Sequence, residues 1–177
     1  MQSCEIRLCR AFLEKRSWIR LRTFIAIELE EETKAQLEEV QAEAEKLCRR
    51  GNYTPKENFH LTLHFLGEVQ EEDLDYLHEA IYETARRNRP FTMTIDKIGF
   101  FPRGNKGILW AGIERSNHLQ RLFSTLEKSL EQQGFARERK GLSPHITLGR
   151  EDPFAGTQRL STAAGAANPG LRADVYS

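Results

Sequence analysis

The feature that most constrains this 177-residue chain is an internal repeat. Ala26 lies in the apolar run Thr23-Phe24-Ile25-Ala26-Ile27, and Ala111 in Ile108-Leu109-Trp110-Ala111-Gly112-Ile113. Each precedes by 34 residues a copy of His-x-Thr-Leu, His60-Leu61-Thr62-Leu63 in the first case and His145-Ile146-Thr147-Leu148 in the second. With 5 His and 11 Thr in the chain, composition alone would supply only about 0.3 His-x-Thr triplets, so two copies in matching surroundings point to a duplicated unit. Each unit reads as strand, amphipathic helix, His-x-Thr strand.

The intervening segments agree. Leu37, Val40, Ala44 and Leu47 recur at helical spacing before Gly51, and Leu119, Leu122, Phe123, Leu126 and Leu130 do so between Ser116, a candidate N-cap, and Gly134, a candidate C′ residue. A further helix is predicted from Leu74, Leu77, Ile81 and Ala85, followed by a strand over Phe91-Thr92-Met93-Thr94-Ile95. The expectation is an α+β architecture: a bilobal, pseudo-two-fold duplicated fold whose two mostly antiparallel sheets form a central cleft, with helices packed on the outside. Residues 21–152 would form this domain. Residues 1–20, basic and without an apolar signal core, read as an extension outside it, and 153–177, rich in Ala and Gly, as a disordered tail.

Composition sets outer limits. No long apolar run is available to span a bilayer, so no membrane partner is expected. The 26 basic and 26 acidic residues balance, which argues against a protein that coats nucleic acid and for one that meets it locally, at an end. Cys4, Cys9 and Cys48 lack metal-ligand spacing, and an odd count fits a reducing cytoplasm. A zinc site on His60, His64 and His145 is disfavoured because neither paired helical spacing nor a convincing further ligand accompanies them. No metal and no cofactor are therefore expected.

Alternation along a strand would place His60, Thr62 and His64 on one face and Leu61, Leu63 and Phe65 on the other. His145 and Thr147 would likewise share a face. Two imidazoles facing each other suit in-line displacement at phosphorus, because a pKa of about 6.5 makes both the base and the acid form available near neutrality. The Thr62 and Thr147 hydroxyls could hold non-bridging oxygens, Arg150 could add a cation, and His64 is a further candidate phosphate contact. Phe101 or Trp110 could stack a base, although Trp110, in an apolar strand, reads as core. His78 and His118 fall in helical segments and read as surface residues.

Beyond the tetrads, Arg22-Thr23-Phe24-Ile25-Ala26-Ile27-Glu28-Leu29, Glu57-Asn58-Phe59-His60-Leu61-Thr62-Leu63-His64-Phe65-Leu66-Gly67-Glu68, Leu109-Trp110-Ala111-Gly112-Ile113 and Pro144-His145-Ile146-Thr147-Leu148 occur in an order that resembles the two-histidine (2H) phosphoesterase superfamily. Within it, the chain is similar to the RNA 2′,3′-cyclic phosphodiesterases, historically called 2′-5′ RNA ligases, over roughly residues 20–152. The resemblance implies a monomeric hydrolase that opens RNA or oligonucleotide 2′,3′-cyclic phosphate ends to 2′-phosphates. It gives His60 as proton donor, His145 as proton acceptor, and Thr62 and Thr147 as phosphate contacts. It also implies reversible 2′-5′ joining without ATP. Two departures stand out: relatives often carry Lys where this chain has His64, and they continue past the second motif into strands that the Ala/Gly tail replaces. The second departure raises an alternative, a catalytically impaired protein that binds RNA ends or nucleotides.

Overall fold

The computed structural model describes residues 6–10, 20–46, 51–103, 106–151 and 171–175. In chain order these form β1 (Ile6–Arg10), β2 (Arg20–Glu28), α1 (Glu31–Lys46), β3 (Gly51–Tyr53), β4 (His60–Gln70), α2 (Leu74–Arg87), β5 (Phe91–Arg103), β6 (Lys106–Ile113), α3 (Asn117–Gln132), β7 (His145–Glu151) and β8 (Leu171–Val175).

Local chemistry sets several of these boundaries. Ser116 is in extended geometry and its hydroxyl accepts the Leu119 N–H at 3.1 Å, which caps α3. Gly134, at φ 87°, closes the other end in the left-handed region that a side chain would resist. Asn88 finishes α2, its side-chain amide donating to the Thr84 carbonyl at 2.8 Å.

All strand pairings are antiparallel, and the strands run in the order β1-β2-β4-β7-β6-β5-β8, with β3 also on β7. The α+β class and the antiparallel pairing are as expected. The two predicted sheets, however, are the two wings of one continuous sheet, joined at a seam where β4 and β7 share a single register pair, Leu61 opposite Ile146. One core serves both wings, uniting Ile25, Ile27 and Leu61 of the first with Leu109, Ile146 and Leu148 of the second.

The helices cross between wings. Gln41 of α1, in the first repeat, donates to the Leu148 carbonyl of β7 at 2.6 Å and to the Thr54 carbonyl at 2.8 Å. Glu127 of α3, in the second repeat, meets His64 of β4 at 2.5 Å, both side chains being buried. Each repeat thus covers part of the other, so neither wing has a private core.

Strands lie near both ends as well. Ile6–Arg10 pairs with Thr23–Ile27 and Leu171–Val175 with Phe91–Ile95, so a segment read as an extension and one read as a disordered tail each supply an edge strand. The physical reason is that β2 and β5 would otherwise present a row of unpaired backbone groups. The alternating Ile6-Arg7-Leu8 and Leu171-Arg172-Ala173 patterns are short enough to be lost beside a biased composition. Of those two terminal segments, residues 1–5, 11–19, 153–170 and 176–177 lie outside the described residues, as do residue 152, Leu47 and Cys48.

Candidate active site at the seam of the sheet

Leu61 and Ile146 are fully buried, so at the seam both point into the core. Period-2 alternation then sends their neighbours His60, Thr62, His145 and Thr147 to the opposite, open face, where all four are half-buried. The antiparallel register sets His60 beside Thr147 and Thr62 beside His145. An antiparallel pair has its own local two-fold axis, and here that axis passes between the two motifs. The expectation that the tetrads face one another across a pseudo-two-fold holds on this register.

Each tetrad ends in a β-bulge at its leucine. Ala26 pairs with Thr62 but Ile25 with His64, leaving Leu63 without an opposite number, and Trp110 pairs with Thr147 but Leu109 with Gly149, leaving Leu148 so. A bulge shifts the alternation by one. Leu63 and His64 are consequently both buried, while Phe65 emerges 66% exposed on the open face. His64 therefore lies on the helical side against Glu127, not among the phosphate contacts, and Phe65 is not a core residue. With His64 on the far face, His60, His64 and His145 cannot converge on one ion. Among the described residues no cluster of three or more His, Cys, Asp or Glu could hold a metal.

The same slip brings Arg150 to the open face. It pairs with Ile108, two residues before Trp110 on β6, and is exposed, three residues past Thr147 on the same strand. A second irregularity leaves Leu66 unpaired between Phe65 and Gly67. Gly67 has φ 73°, a backbone geometry in which a side chain would be strained.

Both imidazoles are tethered in the same way. Nδ1 of His145 lies 2.7 Å from the Ser143 carbonyl, a bond that only an N–H can make, which leaves Nε2 with a free lone pair in the neutral ring. A ring N–H of His60 is held by the Asn58 carbonyl, also two residues earlier. Burial is the main cause holding the His60 pKa below the ordinary histidine value; the bond to Asn58 raises it and the charge of Lys34 lowers it. Lys34, itself buried, pairs with Glu28 at 3.4 Å and Glu31 at 3.2 Å.

Aromatic rings wall the cleft. Phe24 stacks on His60 with centroids 4.9 Å apart and lies 6.0 Å from Phe65. On the other side Phe101 meets His145 edge-on at 5.8 Å and stacks on Trp110 at 4.7 Å. Trp110 is a half-buried wall residue rather than core. Its ring lies over Gly99, where an added Cβ would come within 2.2 Å of it. Sequence reasoning placed the histidines, threonines and Arg150 but missed Phe24, Phe65 and Lys34. Phe24 was within reach, being two residues before Ala26 on a strand whose parity was known. The bulge that exposes Phe65 and the carbonyls that orient the imidazoles leave no side-chain signal.

Comparison with known proteins agrees with this geometry. Residues 27–110 match the family model of LigT-like phosphoesterases. An RNA 2′,3′-cyclic phosphodiesterase of Thermotoga maritima is 39% identical over 134 residues, which cover 73% of this chain and 70% of that protein. One from Methanocaldococcus jannaschii is 33% identical, with 73% and 71% covered. Among solved structures, Escherichia coli LigT complexed with 3′-AMP is similar at a TM-score of 0.64 with 31% identity, covering 78% of each chain. A protein of Thermus thermophilus, TM-score 0.66 and 29% identical, covers 89% of this chain and 84% of its own. This chain belongs to the LigT-like phosphoesterase family.

Proposed function

We propose that this chain hydrolyses RNA 2′,3′-cyclic phosphate ends to 2′-phosphates by two-histidine acid/base catalysis without a metal, as a cytoplasmic monomer. The observation that carries the reading is the seam register, which sets His60 and His145 on one open face, each beside the other's threonine. Relatives named RNA 2′,3′-cyclic phosphodiesterases, and the nucleotide bound to LigT, support the substrate class.

In this reaction His145 Nε2 takes a proton from water as the water oxygen attacks phosphorus. The P–O3′ bond breaks, and His60 gives its proton to the departing O3′. The product keeps its phosphate on O2′. Thr62, Thr147 and Arg150 donate to the non-bridging oxygens as charge gathers there. Phe24 and Phe101 exclude water from one side of each imidazole.

Burial holds the His60 pKa below the ordinary histidine value in the free protein, which favours the neutral ring. A phosphate anion beside it favours the protonated ring, so the donor becomes charged as substrate arrives. Run in reverse, with an RNA 5′-hydroxyl as the partner, the same displacement would join ends through a 2′-5′ bond.

The test is incubation of wild type and of the His60→Ala and His145→Ala variants with a short RNA ending in a 2′,3′-cyclic phosphate, locating the phosphate in the product. The expected product is a 2′-phosphate, formed by wild type alone and undiminished by chelator. A wild type that binds such ends and leaves them intact would establish the impaired, binding-only alternative.

A further inference from the structure

Away from the seam, the C-terminal end of α2, the start of β5 and the first turn of α3 enclose a cavity of about 410 Å³. Arg86, Arg87, Arg89 and Arg121 line it, together with Phe91 and His118. We propose that this cavity is a second, non-catalytic site that grips the phosphodiester backbone of single-stranded RNA upstream of the reacting end. The proposal rests on the RNA reading of the catalytic site and adds to it where the rest of the strand goes.

The charge pattern is the first argument. Over the whole chain basic and acidic residues cancel, yet four guanidinium groups gather around one opening. Glu83 pairs with Arg86 at 3.5 Å and Arg87 at 3.0 Å, while Arg89 and Arg121 make no ion pair with any described residue. Arg121 instead donates to the Arg87 carbonyl at 3.5 Å, which fixes it beside the other arginines. Three net positive charges therefore face one volume, an arrangement that repels itself until an anion enters. Guanidinium matches phosphate oxygens in planar, two-point geometry.

The second argument is the flat surface within the same cavity. The Phe91 and His118 rings stack with centroids 5.8 Å apart and planes 21° from parallel. An aromatic face beside guanidinium groups is how sequence-tolerant single-strand sites hold a base next to its phosphate. A bare anion needs no such surface.

Position is the third. Gly112 of β6 lies opposite His145, Ile113 pairs with Ile95, and Phe91 is four residues further along β5. Two strand spacings and five residues, one along β6 and four along β5, separate Phe91 from His145, roughly 19 Å at ordinary sheet dimensions. The cavity lies on the helical side of the sheet and the histidines on the open face, so a strand joining them must pass over the end where β6 finishes at Ile113 and β5 begins at Phe91, a path beyond a mononucleotide and open to an oligonucleotide of several residues.

The test pairs binding with turnover in wild type and in an Arg86→Gln, Arg89→Gln, Arg121→Gln triple variant, all three positions being exposed. Fluorescence anisotropy with a labelled ten-nucleotide RNA carrying a 3′-hydroxyl reads the cavity without any chemistry. Steady-state rates with 2′,3′-cyclic AMP and with the same RNA bearing a cyclic end read the coupling. Expected for the variant are at least fivefold weaker RNA binding, a salt dependence of binding reduced by about two phosphates' worth, and a higher KM for the long substrate alone. Arg89→Gln by itself should show part of each effect. Unchanged RNA affinity and salt slope would overturn the proposal, as would an equal loss on cyclic AMP. Inorganic phosphate displacing RNA as effectively as unlabelled RNA does would overturn it in favour of a simple anion site. A wild type inactive on both substrates would sink the catalytic reading while the anisotropy measurement still decides the cavity.

Discussion

The two wings of the sheet are alike in backbone and unlike in what they present to the cleft. Ala26 stands opposite Thr62, whereas the corresponding position opposite Thr147 holds Trp110. Phe24 pairs with Phe65 in the first wing where Ile108 pairs with Arg150 in the second. At the bulge, His64 of the first wing reaches α3, and its counterpart Gly149 has no side chain to do so. Duplication thus supplied two equivalent seats for an imidazole, and divergence left aromatic rings on both flanks while giving the second an open-face cation, Arg150, where the first has Phe65. A displacement at phosphorus needs that inequality, because the attacking and leaving oxygens require opposite proton transfers.

The comparison breaks first at the histidines. If they act as one unit, His60→Ala and His145→Ala each lower kcat/KM by about a thousandfold, and the double variant is hardly worse than either. Additive losses in single-turnover assays would mean that the wings work separately.

Next in size is His64→Ala, expected to cost about 3 kcal/mol in urea unfolding because it leaves the buried Glu127 carboxylate without its imidazole partner. Glu127 keeps one bond, from the Glu138 N–H at 2.9 Å. A loss in activity with unchanged stability would return His64 to the phosphate site.

The unlike flanks separate kinetically. Arg150→Met should lower kcat/KM by about thirtyfold, the loss of one charged hydrogen bond to phosphate, about 2 kcal/mol. Phe65→Ala should raise KM by about fivefold and leave kcat in place, about 1 kcal/mol of stacking. Equal effects on both parameters from both variants would erase the distinction between the wings.

The smallest effect is on pH dependence. Burial lowers the His60 pKa in the folded state, so as pH falls below the ordinary histidine value the unfolded chain takes up the proton first and stability declines. His60→Gln should remove that part of the slope between about pH 7 and 5 in urea midpoints. In the wild type, the alkaline limb of kcat/KM, which reports free enzyme, should lie at lower pH than that of kcat. Coincident limbs would show that bound phosphate does not recharge His60.

Much of the site was legible because its parts repeat. The two copies of His-x-Thr-Leu after like apolar strands announced two units, and strand parity placed His60 with Thr62 and His145 with Thr147; the equal spacing to Ala26 and Ala111 is one residue out of register, since Trp110 stands opposite Thr147 as Ala26 does opposite Thr62. Parity failed one residue later, at Leu63, because a bulge is chosen by pairing with β2 and leaves no periodic mark in β4. The edge strands at Ile6–Arg10 and Leu171–Val175 were hidden for a related reason, since a short segment becomes a strand when a neighbouring edge needs its hydrogen bonds.

The sequence alone determined the repeated units, the strand faces that carry the two histidines and the family resemblance, because those follow from local periodicity and side-chain type. Tertiary structure decided that Arg150 takes the open-face place that Phe65 holds in the other wing, that His64 turns inward, and that α1 and α3 each reach across to the other repeat over a shared core. These depend on backbone register between strands far apart in the chain, and register is settled by the joint burial of Leu61 and Ile146, which neither segment encodes by itself.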